Sequence, residues 1–468
     1  MYNAYICEMK NVRPHPNADK LDLGDCYGNT VTFSKGAFAE GDLCVYFPTD
    51  GQLSEEFCRV HDLVRRKDDA GNPCGGYLEP DKRNVKAIRL RGEKSDGLAM
   101  SLSCLEYTGI DIETLEVGFA FTSINGKEIC QKYIPRRPVR AAGGSGNRTR
   151  KHKVPVAPLF AEHADTEQLA YNLSAFKSGD EIEITLKMHG TSQRTAHLPV
   201  LKGYKRTFID KLLKREGTPI YDWGYVSGTR RTVLENYDGG YYGSNEFREQ
   251  HSKAFEGKLQ RGETAYYEVV AFTNDGTPIM GEAKTPKEAQ SLYGEKTIFH
   301  YGCNPEGKIV KYGEDERGPF GIEFKAPQSE LYVYRMTLTT PDGYVIEYTP
   351  DFMRYRCEQM GVKTVPSFGK GIISEDRLHF VTPTGNDHDY LIGTGTVGDL
   401  VKKVAEEYYD GPDPIGKTHV REGVVVRIVN RSKFTAYKHK NFLFKQITGI
   451  ISENTINNNI TDDILSEL

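Results

Sequence analysis

A lysine on a strand that ends in a glycine turn is a candidate nucleophile, and this chain carries one at Lys187. The stretch Glu181-Ile182-Glu183-Ile184-Thr185-Leu186-Lys187-Met188-His189-Gly190-Thr191-Ser192 alternates like a strand and then turns at Gly190. A rigid backbone behind the amine and a tight turn before it suit attack on phosphorus. The amine must shed its proton to attack, which nearby cations or a metal promote. An ordinary exposed lysine at a strand end is the plain alternative, and the company Lys187 keeps narrows the choice. Arg421-Glu422-Gly423-Val424-Val425-Val426-Arg427 sets a carboxylate at the mouth of an apolar strand. Lys438 and Lys440 follow in Ala436-Tyr437-Lys438-His439-Lys440-Asn441. Alternation puts both on one strand face, where both can point at one phosphate. Upstream, Glu268 interrupts the apolar run from Tyr266 to Phe272, and burying a carboxylate there is costly unless it binds something.

Taken in order, these stretches resemble the nucleotidyltransferase motifs of covalent ligases and capping enzymes. Lys187-x-His189-Gly190 is similar to motif I, the Glu268 strand to motif III, Glu422-Gly423 to motif IV, and Lys438-x-Lys440-Asn441 to motif V. His189 and the Lys-x-Lys-Asn ending look most like the RNA-ligase branch, and the resemblance spans residues 156–445. It implies that Lys187 attacks the α-phosphate of ATP and holds AMP, with Lys438 and Lys440 as the other catalytic residues, neutralising that phosphate. His189, Gly190 and Glu268 would bind the nucleotide, Glu268 at the ribose. Glu422 would hold Mg²⁺ or Mn²⁺, an ion bound mainly through phosphate oxygens and water. Arg230 or Arg231 fits motif Ia, where an arginine contacts phosphate, and Tyr334 fits motif IIIa, whose aromatic stacks on the base. Two positions depart from the branch: Leu186 stands where it has Glu, and Arg335 where it has Asp. Both bear on the choice of ATP over GTP. The implied activity is that of an RNA ligase sealing 5′-phosphate and 3′-hydroxyl ends at nicks in duplex RNA or an RNA–DNA hybrid. A DNA ligase, a GTP-using capping-type enzyme and a non-catalytic RNA-binding protein on a ligase scaffold are the alternatives.

The elements that must position these groups fall into an α+β arrangement. Residues 1–130 read as short strands between turns, including Val31–Phe33, Leu43–Phe47 and the half-basic run Val85–Arg91. Arg13-Pro14-His15-Pro16-Asn17-Ala18-Asp19-Lys20-Leu21 and Arg89-Leu90-Arg91-Gly92-x-x-Ser95-x-Gly97-Leu98 resemble the OB-fold-like domain that precedes the catalytic domain in Deinococcus-type RNA ligases. A small OB-like barrel is therefore expected, with Lys86, Arg89 and Arg91 as nucleic-acid-binding candidates. Residues 131–155 form a basic linker, since no acidic residue occurs between Cys130 and Lys153. Residues 156–468 are expected to hold a nucleotidyltransferase domain of antiparallel sheets with flanking helices. Its strands are Glu181–Lys187, Ala265–Phe272, Leu331–Leu338 and Gly423–Val429, its main helix is Val397–Tyr409, and a helix or tail is expected at Ile451–Leu468. The short stretch after Asn441 leaves no room for a closing OB barrel behind motif V, an order that favours an RNA ligase.

Bulk properties exclude several classes. The chain has 468 residues, 38% of them hydrophobic and 27% charged, as in globular proteins. A net charge of −4 argues against a uniformly basic coat on nucleic acid. No apolar run spans a bilayer and no secretion signal opens the chain, so a cytoplasmic monomer that uses no membrane is expected. The nine cysteines include no C-x-x-C pair. Reduced, separately buried thiols are expected, without zinc or disulfides. Gly411-Pro412-Asp413-Pro414-Ile415-Gly416-Lys417-Thr418 matches a P-loop letter for letter. A helical run precedes it and a strand follows, the reverse of what a P-loop needs, and two prolines remove backbone donors.

Overall fold

Period-two alternation recurs along the chain, and strands outnumber helices among its regular elements. The computed structural model describes residues 2–450 except 50, 68–72, 77, 134–153, 164–165, 214–216, 236, 238–244, 316–317 and 394. Most of the basic linker and the expected helix at 451–468 lie outside the described residues. The chain divides into two compact units, one holding residues 1–137 and 441–451, the other essentially 138–440.

In the first unit, strands β1 (Ala4–Glu8), β2 (Lys10–Pro14), β3 (Leu21–Cys26), β4 (Asn29–Ser34) and β5 (Leu43–Phe47) are followed by β6 (Ala87–Leu90), β7 (Glu93–Asp96), β8 (Leu98–Ser101) and β9 (Ala120–Phe121). They pair as a four-stranded sheet β8-β5-β1-β9, a three-stranded sheet β2-β3-β4 and the hairpin β6-β7. These are separate sheets, so no closed barrel forms among the described residues, although an OB-type barrel was the expectation. Ile6, Val45, Phe47, Phe57, Leu105 and Ile129 meet in its apolar core. The expected strand over Val85–Arg91 is shorter than the sequence suggests, because Arg91 takes a left-handed φ of 45° and starts the hairpin turn.

The second unit opens with β10 (Glu167–Gln168), β11 (Glu181–Lys187), β12 (Thr191–Lys205), β13 (Thr218–Gly228) and β14 (Val233–Leu234). Next come β15 (Glu263–Ala271), β16 (Ser329–Thr339), β17 (Val345–Glu347), helix α1 (Pro350–Met360), β18 (Ser367–Ile373), β19 (Arg377–Val381) and β20 (Asp387–Leu391). Helix α2 (Val397–Tyr409), β21 (Gly423–Ile428) and β22 (Thr435–Lys440) complete it, and α3 (Phe442–Ile450) carries the chain into the first unit. One seven-stranded sheet runs β10-β22-β21-β11-β18-β19-β20; a second runs β14-β13-β12-β15-β16-β17. Even positions of β11 and β21, Ile182, Ile184, Val424 and Val426, pack under Leu400, Val401, Val404 and Ala405 of α2. That leaves the odd positions of both strands on the other face. Thr396 starts α2 with a capping box: its hydroxyl accepts from Asp399 N, while Asp399 Oδ2 accepts from Thr396 N at 2.8 Å.

The P-loop-like string folds as a turn between α2 and β21. Asp413 Oδ2 accepts from the amides of Ile415 at 3.1 Å and Gly416 at 2.5 Å. A side chain of the chain itself thus occupies donors that a P-loop would turn toward phosphate.

Candidate active site

Three strands align the central groups. Register pairs Lys187 of β11 with Gly423 of β21, and Gly423 with Lys440 of β22. The two lysines therefore flank a glycine in one lateral row. Glu422, the residue before β21, reaches both: its Oε1 lies 2.9 Å from Lys187 Nζ and 3.6 Å from Lys440 Nζ. Gly423 is required here, because it holds φ at 148° and a Cβ would stand 2.0 Å from His439 O. Lys438 lies two residues earlier on β22, on the same face as Lys440 by alternation, and is half-buried. His439 points the other way, where it stacks on Tyr409 at the end of α2.

Electrostatics keep the carboxylate at the centre of this cluster ionised. Burial works against ionising Glu422, whose side chain is 1% exposed, yet Lys187, His189 and Lys440 outweigh it and keep the carboxyl far below its ordinary range. His189 Nδ1 stands 3.6 Å from Glu422 Oε2. Desolvation lowers the imidazole pKa against the pull of Glu422, with Lys187 and Lys440 adding to the decrease. Behind His189 the amide donates to Tyr301 Oη at 2.7 Å, and the Phe299 ring stands edge-on 4.6 Å away. Nothing in the sequence of 273–330 signalled that this segment buttresses motif I.

Gly190 carries the chain from the first sheet to the second. A Cβ there would meet Val269 O at 2.4 Å, so only glycine lets β12 begin this close to β15. That approach brings Glu268, buried on β15, into one cleft with Lys187, Thr185, Arg230 and Tyr334. Between β15 and β16 the register shifts: Tyr266 faces Arg335 but Tyr267 faces Val333, so Tyr334 is the extra residue of a bulge. Released from the ladder, Tyr334 turns into the cleft, where its hydroxyl lies 3.0 Å from Ser192 Oγ.

The same bulge keeps Arg335 beside the cleft. Its guanidinium lies 4.6 Å over both the Tyr266 and Phe434 rings, contacts His163 Nδ1 at 3.0 Å and pairs with Glu347. Arg427 joins through Glu347 at 3.8 Å. Burial and the nearby Arg335, Arg230 and Arg194 charges hold His163 well below its ordinary pKa, so it meets Arg335 as a neutral acceptor. His163, Glu183, Arg427 and Phe434 also line the cleft. Each is a lone residue of unremarkable local pattern, and only the fold assembles them.

The structure thus brings Lys187, Arg230, Glu268 and Tyr334 to one cleft, with Glu422, His189, Gly190 and Lys440 at the end of it formed around Lys187. Arg231 is exposed, whereas its neighbour Arg230 is buried and lines the cleft. Lys86, Arg89 and Arg91 belong to the first unit. Lys86 pairs with Glu79 at 2.9 Å, Arg89 is exposed and stands 5.6 Å over the Phe442 ring, and Arg91 is exposed at the hairpin tip. The donor set suits a hard divalent ion: Glu422 is a buried carboxylate beside Lys187, and its Oε2 accepts no hydrogen bond among the described residues. One protein carboxylate beside phosphate oxygens is how Mg²⁺ is commonly held.

Comparison with known proteins gives the fold a precedent. A model of an OB-fold domain matches residues 4–102. No curated protein matches the sequence. Among solved structures, a lysine-to-alanine mutant of Naegleria gruberi RNA ligase with ATP and Mn is similar over 95% of this chain and 98% of that one, at 16% identity and a TM-score of 0.53. The same ligase with PPi is similar over 94% and 96% of the two chains, at 16% identity and a TM-score of 0.53. A lysine-to-methionine mutant with AMP and Mn gives 15% identity, 95% and 98% coverage and a TM-score of 0.53. Across nearly its whole length, this chain has the fold of that RNA ligase.

Proposed function

We propose that the protein is an ATP-dependent RNA ligase that works through a lysyl-AMP intermediate on Lys187. The carrying observation is the convergence of Lys187 and Lys440 on one oxygen of Glu422, at the end of a cleft that also holds Glu268, Arg230 and Tyr334. To act as the nucleophile, the Lys187 side chain must be present as the free amine. That amine would attack the α-phosphorus of ATP, forming the N–P bond as pyrophosphate leaves. A 5′-phosphate oxygen would then displace Lys187 from the AMP phosphorus, and a 3′-hydroxyl would displace AMP to close the strand. Lys438 and Lys440 would offset charge on the α-phosphate, Glu268 would meet the ribose and Tyr334 would stack on the base. Glu422 would hold Mg²⁺ or Mn²⁺, whose contribution is to screen phosphate charge. The similarity to a ligase solved with ATP, AMP and Mn supports these assignments, as does the OB-like first unit as an RNA-binding module. Nicks in duplex RNA or an RNA–DNA hybrid are the proposed substrates.

The test is incubation with ATP labelled in the α-phosphate and Mn²⁺ or Mg²⁺, followed by peptide mass spectrometry. One AMP on the Lys187 peptide, absent from a folded Lys187→Ala variant, is the expected result. Labelling that persists in Lys187→Ala sinks the proposal.

A further inference from the structure

Three cysteines far apart in the sequence meet in the first unit. Cys7 lies on β1, Cys26 at the end of β3 and Cys44 on β5. Their sulfurs all lie within 4.8 Å of one another, with Cys7 Sγ 3.4 Å and Cys26 Sγ 3.6 Å from Cys44 Sγ. All three are buried, at 2%, 0% and 0% exposure. Cys7 and Cys44 are register partners on adjacent strands of the four-stranded sheet, while Cys26 arrives from the separate three-stranded sheet. Among the described residues no other group of His, Cys, Asp or Glu side chains converges this closely. Cys58, Cys104, Cys130, Cys303 and Cys357 are buried outside that cluster.

A zinc–thiolate bond of about 2.3 Å places the sulfurs of a tetrahedral site about 3.8 Å apart. The Cys7–Cys44 and Cys26–Cys44 separations fall just short of that edge, so small side-chain shifts suffice to admit an ion. A disulfide could join only two of the sulfurs, and its bond of about 2.0 Å would need one pair to close by more than an ångström. Three sulfur donors with no carboxylate or imidazole in the group select a soft, thiophilic ion over Mg²⁺ or Mn²⁺. We propose that Cys7, Cys26 and Cys44 form a metal site for a closed-shell thiophilic ion, Zn²⁺ or Cu⁺, which ties the two sheets of the first unit together. The sequence alone suggests reduced, buried thiols without zinc or disulfides, and the proposed site departs from that expectation only in the ion. Binding releases the thiol protons to solvent and forms up to three metal–sulfur bonds with no change in oxidation state. Because the ligands come from separate strands, the ion's binding energy adds to the stability of the folded unit.

The full chain, kept reduced and first stripped with chelator, is titrated with Zn²⁺ in one arm and Cu⁺ in another. Bound metal is counted by mass spectrometry of the native protein and thiols by alkylation. The site predicts one ion per chain in at least one arm, a raised melting temperature, and alkylation protection confined to Cys7, Cys26 and Cys44. It also predicts weaker binding as pH falls. Cys26→Ser, which nearly preserves volume, should abolish stoichiometric binding and protection, with circular dichroism checking that the variant folds. Should that variant misfold, peptide mapping of the protected thiols in the unaltered chain decides alone. No stoichiometric ion in either arm overturns the site, as does protection of other cysteines. Undiminished binding by a folded Cys26→Ser variant, or a Cys7–Cys44 disulfide under the reducing conditions used, overturns it too.

Discussion

At Glu422 one carboxylate serves two ammonium groups, and its side chain is 1% exposed against 11% for Lys187 and 4% for Lys440. Removing one member of a buried ion pair commonly costs about 3–5 kcal/mol, because the partner charge stays buried without compensation. Glu422→Gln keeps the shape and removes the charge. We expect it to lower the melting temperature and to reduce AMP labelling by orders of magnitude; a variant with unaltered labelling and stability would show that Glu422 has neither role. The cluster was legible in the sequence because its members sit in ordered, patterned stretches: a strand ending in Lys187, an acid before an apolar strand, two lysines in alternation. The choice between Arg230 and Arg231 was not, since adjacent residues of one type differ only in which way the turn after β13 faces them. His163, Glu347 and Phe434 were invisible for a related reason. Their roles arise from contacts with Arg335 made across the fold, and no local spacing records such contacts.

At the scale of elements, alternation and capping carried most of the information. Strand Glu181–Lys187 and helix Val397–Tyr409 run as expected, residue for residue, because a clean period of two and an apolar stripe at 400, 401, 404 and 405 each admit one solution. What alternation hides is the bulge in β16. A regular strand would send Tyr334 and Arg335 to opposite faces, whereas the register shift gathers both around His163. Gly190 shows the same gap between pattern and packing. The sequence marks a turn, but the reason for glycine is the Val269 carbonyl 2.4 Å from where a Cβ would stand. That neighbour is strand backbone and cannot swing aside. Gly190→Ala should therefore force β12 away from β15, destabilise the fold by about 1–3 kcal/mol as overpacking does, and lower AMP labelling as Glu268 moves from Lys187. Thermal unfolding and labelling of the same preparation check this, and an alanine variant that matches the unaltered chain in both would refute the close-approach argument.

Across the whole molecule, the imidazoles whose pKa is shifted by burial are distributed unequally. His163, His189, His251 and His419 all lie in the second unit, and burial lowers the pKa of each. For His251 and His419 the folded value is about 4, against an ordinary 6.5. A group whose folded pKa is depressed binds its proton more readily when unfolded, so stability falls as pH falls. Above about pH 6.5 these histidines are neutral in both states and impose no pH dependence. Between 6.5 and 4 these imidazoles are protonated in the unfolded chain but not in the folded one, and each contributes roughly 3 kcal/mol at its limit. The depressed carboxyls of Glu422, Glu263 and Glu406 act in a lower window. Their contribution is complete above the ordinary glutamate value of 4.5 and is lost as pH falls below it. The second unit should accordingly melt at a nearly constant temperature above pH 7, lose stability steadily from 6.5 to 4, and collapse below that. In the first unit the resolved histidine shift is at His61, which is more open to solvent, so its transition should move less. Calorimetry across pH separates the two transitions, and a second unit as stable at pH 5 as at pH 7 would mean that those imidazoles are not held neutral.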